Sequence, residues 1–159
     1  MIHGVVISLG NPNAPDAAKL IEASHNLILD LFPAEDNYAL STDELCAKNV
    51  KFFVANYNGE IIGCGALAIK KDYGELKSMF VKESMRGQGI AQQILNKIIQ
   101  WAKNEDLKIL KLETGLKLEA AIRLYKRNGF TFCTSFGDYK KNMTSISVSY
   151  THLTLPTKA

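Results

Sequence analysis

The chain has little that would staple it, anchor it or give it a charged arm. Its 159 residues include three cysteines, Cys46, Cys64 and Cys133, odd in number and scattered. Neither a disulfide framework nor a zinc pattern fits, which predicts reduced thiols and a cytoplasmic setting. His3, His25 and His152 form no ligand pair with them, so no metal is expected. No apolar run approaches the length of a membrane span, and the opening Met-Ile-His-Gly lacks the basic and apolar regions of a secretory signal. The net charge is only +3, without a run of one sign, so nothing argues for nucleic acid or a membrane surface. Repeats, linkers and low-complexity segments are also missing. What remains is an ordinary globular composition, 47% apolar and 22% charged. A single domain of this length buries roughly 70% of its unfolded surface and needs no covalent help.

Gly4 to Leu9 is β-branched and apolar, a first strand. Pro15 and Asp16 suit the first turn of a helix, and Leu20, Ile21, Leu27, Ile28 and Leu31 keep helical spacing up to Phe32-Pro33. Residues 33–40 read as an irregular loop. Ser41 and Glu44 make a capping box for a short helix. Lys51–Tyr57, Asn58-Gly59 and Glu60–Ile69 predict a hairpin closed by a type I′ turn, and Glu75–Val81 predicts a third antiparallel strand. After a long amphipathic segment come a strand at Leu107–Glu113, a helix at Glu119–Asn128 stopped by Gly129, and a strand at Phe130–Thr134. The strand at Leu107–Glu113 returns parallel to Leu76–Val81 through a right-handed crossover.

The most informative stretch joins the third strand to the long helix: Arg86-Gly87-Gln88-Gly89-Ile90-Ala91, followed by Ile94, Leu95, Ile98 and Ala102 on one helical face. A glycine turn opening a helix leaves several N–H groups unpaired at the positive end of the helix dipole, a site for phosphate oxygens. The Rossmann fingerprint fails because Gln92 stands where its third glycine belongs, and the Gly-Lys-Ser/Thr of a P-loop is absent.

Val81 followed by Arg86 to Ala91 resembles the pyrophosphate loop of the GNAT superfamily of N-acetyltransferases, usually Gln/Arg-x-x-Gly-x-Gly/Ala, with Ser84 at the first position here. A second segment, Ala120 to Phe130, is similar to that family's Ala-x-x-Leu-Tyr-x-x-x-Gly-Phe, with Leu118 where an asparagine is frequent. Phe32-Pro33-Ala34-Glu35, Leu112-Glu113-Thr114-Gly115 and Phe136-Gly137-Asp138-Tyr139 resemble one branch of small bacterial members. The order of elements is the family's up to about Ile146. The resemblance implies an α/β (α+β) domain over residues 1–146, with a mixed sheet of six to seven strands flanked by about four helices. It also implies acetyl-CoA as cosubstrate and acetyl transfer to a primary amine of a small molecule, by direct attack in a ternary complex. The protein is then a monomer or homodimer. A protein N-terminal or lysine acetyltransferase and a non-catalytic acyl-CoA-binding domain stay open as alternatives, since fold does not name the acceptor.

Acetyl transfer needs a neutral amine, a polarised thioester carbonyl and a stabilised leaving thiolate. An alkylamine of pKa near 10.4 is about three units too basic at neutral pH, roughly 4 kcal/mol against the reactive form. The resemblance places Glu75 where some members carry a catalytic glutamate. An ordered water, with Glu75 as an exposed strand residue or a partner of Lys77, is the other reading. It places Tyr125 near the coenzyme sulfur. A phenol of pKa about 10 cannot pass its proton downhill to a thiolate whose conjugate acid has pKa about 8.5, so hydrogen bonding to the thiolate is expected. Coenzyme contacts are implied for the main chain of Met79, Phe80 and Val81, for Arg86, Gly87, Gln88, Gly89, Ile90 and Ala91, and for Lys126, which reads equally as an exposed helix lysine. The acceptor pocket is expected between Phe32, Asn37, Tyr38 and Tyr139, with Glu75 at its floor.

Residues 147–159, Ser-Val-Ser-Tyr-Thr-His-Leu-Thr-Leu-Pro-Thr-Lys-Ala, resemble translated adapter sequence rather than the branch's usual ending. Ile146, Val148 and Tyr150 nonetheless alternate, which predicts a surrogate strand over Thr144–Tyr150 between those at Leu107–Glu113 and Phe130–Thr134, with Thr151–Ala159 outside regular structure.

Overall fold

A computed structural model describes residues 2–32, 39–115, 117–137, 139 and 145–150. Seven strands form one mixed sheet in the order β1-β2-β3-β4-β5-β7-β6. The strands are β1 (Val6–Leu9), β2 (Val50–Tyr57), β3 (Glu60–Ile69), β4 (Gly74–Val81), β5 (Leu110–Gly115), β6 (Thr131–Cys133) and β7 (Ser145–Tyr150). The helices are α1 (Pro15–Leu31), α2 (Thr42–Leu45), α3 (Ile90–Asn104) and α4 (Glu119–Arg127). Only β4 and β5 run parallel.

Local signals explain most boundaries. Asn58 and Gly59 both have positive φ, 52° and 81°, as the type I′ turn between β2 and β3 requires. The Ser41 hydroxyl accepts from the Glu44 N–H at 3.2 Å and the Glu44 carboxylate accepts from the Ser41 N–H at 2.9 Å, completing the capping box of α2. α4 ends in a Schellman motif. Gly129 has φ 90°, its N–H bonds the Lys126 carbonyl at 3.1 Å, and the Phe130 N–H bonds that of Tyr125 at 3.0 Å.

β5 begins three residues later than the alternation of Leu107, Ile109 and Leu112 suggests. The cause is the end of α3. Asp106 takes φ 59° and bonds the Lys103 carbonyl, while the Leu107 N–H bonds Ala102 O at 3.0 Å. This is a second Schellman motif, with Asp in the left-handed position, and it ties Leu107 to the helix. Pairing resumes where Leu110 meets Gly74. β7 lies between β5 and β6, antiparallel to both, and Val148 sits opposite Leu112 on one side and Phe132 on the other.

The sheet separates two apolar clusters. One packs Ile90, Ile94, Leu95 and Ile98 of α3 and Leu124 and Tyr125 of α4 against Phe53, Leu76, Leu110 and Leu112. The other packs Ala17 and Ile21 of α1 and Leu45 of α2 against Phe52, Val54, Cys64 and Ala66. Among the described residues no helix is long and apolar enough to cross a membrane.

Candidate active site

The site begins with a defect in β4. Cys64 pairs with Phe80 and Ala66 with Lys77, so Gly65 stands opposite both Ser78 and Met79. This is a β-bulge. Ser78 absorbs it with φ 57°, a conformation that costs a non-glycine residue about 1–2 kcal/mol. The Cys64 thiol donates to the Ser78 carbonyl at 3.3 Å, and burial pushes that thiol up to about 12. Gly65 is needed because a Cβ there would lie 2.5 Å from the Met79 sulfur and 2.8 Å from Ile94 Cγ2.

The parallel pairing with β5 stops at Glu75, ahead of the bulge. β4 and β5 are joined only at Gly74–Leu110 and Glu75–Lys111, and beyond these pairs the strands part. The resulting wedge is a cavity of about 170 Å³, with Met79 on one strand, Glu113 on the other, and Tyr125, Phe32 and Tyr139 around it. Phe32 is held against β5 by the lack of a side chain at Gly115, where a Cβ would lie 2.0 Å from its ring. Tyr125 is 5% exposed, and burial raises its phenol above the ordinary range. Among the described residues its hydroxyl has no hydrogen-bond partner.

At the far end of β4 the Lys82 N–H turns to β3, bonding Ile62 O at 2.8 Å. Strand alternation therefore directs the main-chain groups of Val81 to the wedge side. The Val81 carbonyl is taken by Arg86 Nε at 2.9 Å, and the guanidinium lies 5.0 Å from the centre of the Phe80 ring. Gly87 and Gly89 adopt φ 80° and 81°, and Gly89 caps α3 without any side-chain bond to the helix. The N–H groups of Gly89, Ile90, Ala91 and Gln92 are the unpaired donors of that helix start. Ile2 closes the loop from outside, donating to the Gln88 carbonyl at 3.3 Å.

Glu75 has the Lys77 partner that one reading of the sequence gave it. It is buried, 5% exposed, and borders a second cavity of about 340 Å³ beside the wedge. Its carboxylate accepts from the Tyr139 hydroxyl and lies 3.6 Å from Lys77 Nζ, which itself donates to the Tyr139 oxygen. Burial holds the Lys77 ammonium below the ordinary lysine value, against the opposing pull of Glu75 and Glu113. Burial, followed by the charge of Glu75, pushes the Tyr139 phenol far up. Lys77 and Tyr139 border both cavities.

Residues 37 and 38, Asn37 and Tyr38, lie outside the described residues. Lys126 is exposed with its Nζ 4.5 Å from the centre of the Phe132 ring, a contact that accounts for it without a ligand. Glu113 was not singled out by the sequence. The signal was the alternation of β5, which puts Leu110 and Leu112 in the α3/α4 cluster and so sends Lys111 and Glu113 to the other face.

Residues 21–130 match the acetyltransferase (GNAT) family. The chain belongs to that family. It is an N-acetyltransferase by membership, and the GNAT fold is the mixed sheet described above. An IAA acetyltransferase of Azospirillum brasilense is 37% identical over 137 residues, which cover 85% of this chain and 90% of that protein. YsnE of Bacillus subtilis, an uncharacterized N-acetyltransferase, is 35% identical over 128 residues, 79% of this chain and 84% of YsnE. A GNAT family acetyltransferase of Elizabethkingia anophelis, solved with acetyl-CoA bound, superposes with a TM-score of 0.69 at 21% identity, covering 94% of this chain and 99% of that one. At that identity the likeness is one of fold.

Proposed function

We propose that this GNAT protein transfers the acetyl group of acetyl-CoA to a primary amine of a small molecule, by direct attack within a ternary complex. The observation that carries the reading is the wedge between β4 and β5, with Tyr125, whose hydroxyl has no hydrogen-bond partner among the described residues, on its wall. The pyrophosphate takes the N–H groups from Gly87 to Ala91, with Arg86 beside it. The pantetheine arm replaces the missing strand pairing along Met79, Phe80 and Val81. A main-chain N–H of this stretch donates to the carbonyl oxygen as it becomes an oxyanion. Tyr125 donates to the departing thiolate. Its raised pKa argues against full proton transfer and for a hydrogen bond held through the transition state.

The acceptor enters from the α1 side, past Phe32 and Tyr139, with Asn37 and Tyr38 as further proposed wall residues. Glu75 acts through Tyr139 and Lys77 rather than by touching the amine. A small acceptor is supported by the size of the wedge, about 170 Å³. An apolar cavity of roughly 150 Å³ takes up benzene. It is also supported by the Azospirillum relative, whose name gives its acceptor as IAA. Three free cysteines favour the cytoplasm. The test is thiol release from acetyl-CoA with a panel of small amines and one lysine-containing peptide. Turnover restricted to the peptide, or none with any amine, would overturn the proposal.

A further inference from the structure

We propose that Phe32 sets the upper size of the acceptor amine, and that Lys117 is the positioning residue that holds its ring in place. This rests on the acetyl-transfer reading above.

Phe32 caps the C-terminal end of α1, its N–H bonding the Ile28 carbonyl at 2.9 Å. The residue is 9% exposed and lines the wedge together with Gly115, Leu118 and Tyr125. A Cβ on Gly115 would lie 2.0 Å from Cζ of its ring, 2.5 Å from Cε1 and 3.0 Å from Cε2, and these are the three nearest atoms. Gly115 is not among the glycines with positive φ, so its backbone would accept a side chain. The ring is therefore what excludes one. Phe32 opens one of the segments that the sequence singled out and Gly115 closes another, and the two meet as a ring tip seated in a backbone notch.

The end of α1 has no basic residue in its last turn and carries Asp30 there, the unfavourable sign for the negative end of a helix dipole. Lys117 supplies the cation from 86 residues away. Its Nζ donates at 2.9 Å to the carbonyl of Leu31, one of the four that a helix end leaves without an internal partner. The same Nζ lies 5.8 Å from the centre of the Phe32 ring, within cation–π range. One ammonium thus holds both the main chain before the ring and the ring itself. Lys117 is exposed and does not line the wedge, so it acts on an acceptor only through Phe32. With the ring seated, the wedge measures about 170 Å³. An apolar cavity of roughly 150 Å³ holds one benzene ring, so an acceptor with one ring fits and a longer one meets Phe32.

n-Butylamine, benzylamine and p-phenylbenzylamine test this, since each carries a primary ammonium on a CH2 group and they differ in bulk. Steady-state kinetics with acetyl-CoA should show wild type taking the first two and discriminating against the third. Phe32→Ala should raise kcat/KM for p-phenylbenzylamine relative to benzylamine at least about tenfold, as for a pocket enlarged by a methylene or more. Phe32→Leu should give a smaller shift of the same sign, and it replaces the alanine variant if that does not fold. Lys117→Met should raise KM for benzylamine about three- to tenfold, the scale of one hydrogen bond, with kcat and acetyl-CoA affinity near wild type. Lys117→Arg should restore the wild-type KM. Gly115→Ala should lower kcat/KM for benzylamine about tenfold by displacing the ring, and have little effect in the Phe32→Ala background, where the methyl finds room. Wild type that acetylates none of the three overturns the underlying reading. Wild type that takes p-phenylbenzylamine as readily as benzylamine overturns this inference alone, as does a ratio unmoved in both Phe32 variants. So does Lys117→Met with a wild-type KM, or with kcat and acetyl-CoA affinity lost together. Gly115→Ala acting equally in both backgrounds would overturn it too.

Discussion

The side-chain amides of Gln92 and Asn128 bond each other in both directions, Nε2 to Oδ1 at 2.8 Å and Nδ2 to Oε1 at 2.9 Å. Asn128 Nδ2 also bonds the Leu124 carbonyl at 2.8 Å, and Gln92 Nε2 bonds Asn96 Oδ1 at 2.8 Å. Gln92 lies in the first turn of α3, behind the glycine loop, and Asn128 caps α4, which carries Tyr125. The pair therefore fixes the phenol relative to the phosphate cradle. Removing either amide leaves the half-buried side-chain oxygen of the other without this donor, at about 1–3 kcal/mol. Asn128→Ala should lower the melting temperature and reduce kcat more than acetyl-CoA affinity. A double-mutant cycle with Gln92→Ala should give a coupling above about 0.5 kcal/mol. Strict additivity would show that the two helices are held by their apolar contacts alone.

Gly89 caps α3 at φ 81°. A β-branched residue there is strained and must reshape the loop. Gly89→Val should weaken acetyl-CoA binding at least about tenfold, the equivalent of 1.4 kcal/mol. Calorimetry of a folded variant that binds with wild-type affinity would remove the loop from the coenzyme site.

Tyr125→Phe deletes one hydroxyl from the wedge wall and keeps the ring contact with Phe130, whose centre is 5.4 Å away. A leaving-group interaction lost in the transition state should cost kcat about 10²-fold, with little change in acetyl-CoA affinity. Full turnover under rate-limiting chemistry would make Tyr125 a packing residue.

Lys77 gives a pH dependence of stability. Burial sets its folded pKa below the ordinary 10.5, so between those two values the unfolded chain binds more protons. Stability from this group therefore rises with pH through that interval, and below it the burial penalty is constant. In urea unfolding, wild type should gain on Lys77→Met as the pH climbs from 7 toward about 10, above which tyrosines and lysines titrate generally. A constant difference would mean that Glu75 and Glu113 fully offset the burial.

We propose that residues 1–146 form the native domain and that 147–159 are a foreign ending, part of which serves as β7. β7 supplies six residue pairs to β5 and three to β6. Deleting residues 151–159 should leave the melting temperature unchanged. Deleting 145–159 should lower it by many degrees, because β6 loses its strand partner. A drop of several degrees on the shorter truncation would make the tail part of the fold.

Most of the fold was legible because its signals are local. Asn58-Gly59, the Ser41–Glu44 box, Pro15 and Gly129 each act within a few residues, and the period of α3 needs one turn to repeat. The glycine loop is of the same kind, since Gly87 and Gly89 are the residues that left-handed backbone prefers. The start of β5 was misplaced because Asp106, not glycine, took the left-handed stop of α3.

What joins the site is not local. The bulge at Ser78 depends on Gly65 and Met79 meeting under Ile94. The wedge opens where β5 parts from β4 after Lys111 while its other edge stays paired with β7 throughout. Tyr139 reaches Glu75 across 64 residues and Lys77 across 62, which makes Glu75 a buried hydrogen-bond partner. The same packing leaves Glu113 lining the wedge. Sequence alone determined the elements, the glycine loop and the family they suggest, because backbone preferences are written residue by residue. Tertiary structure alone decided which carboxylate borders the wedge, because side chains far apart in sequence compete for one buried space, and burial, charge and register settle that competition together.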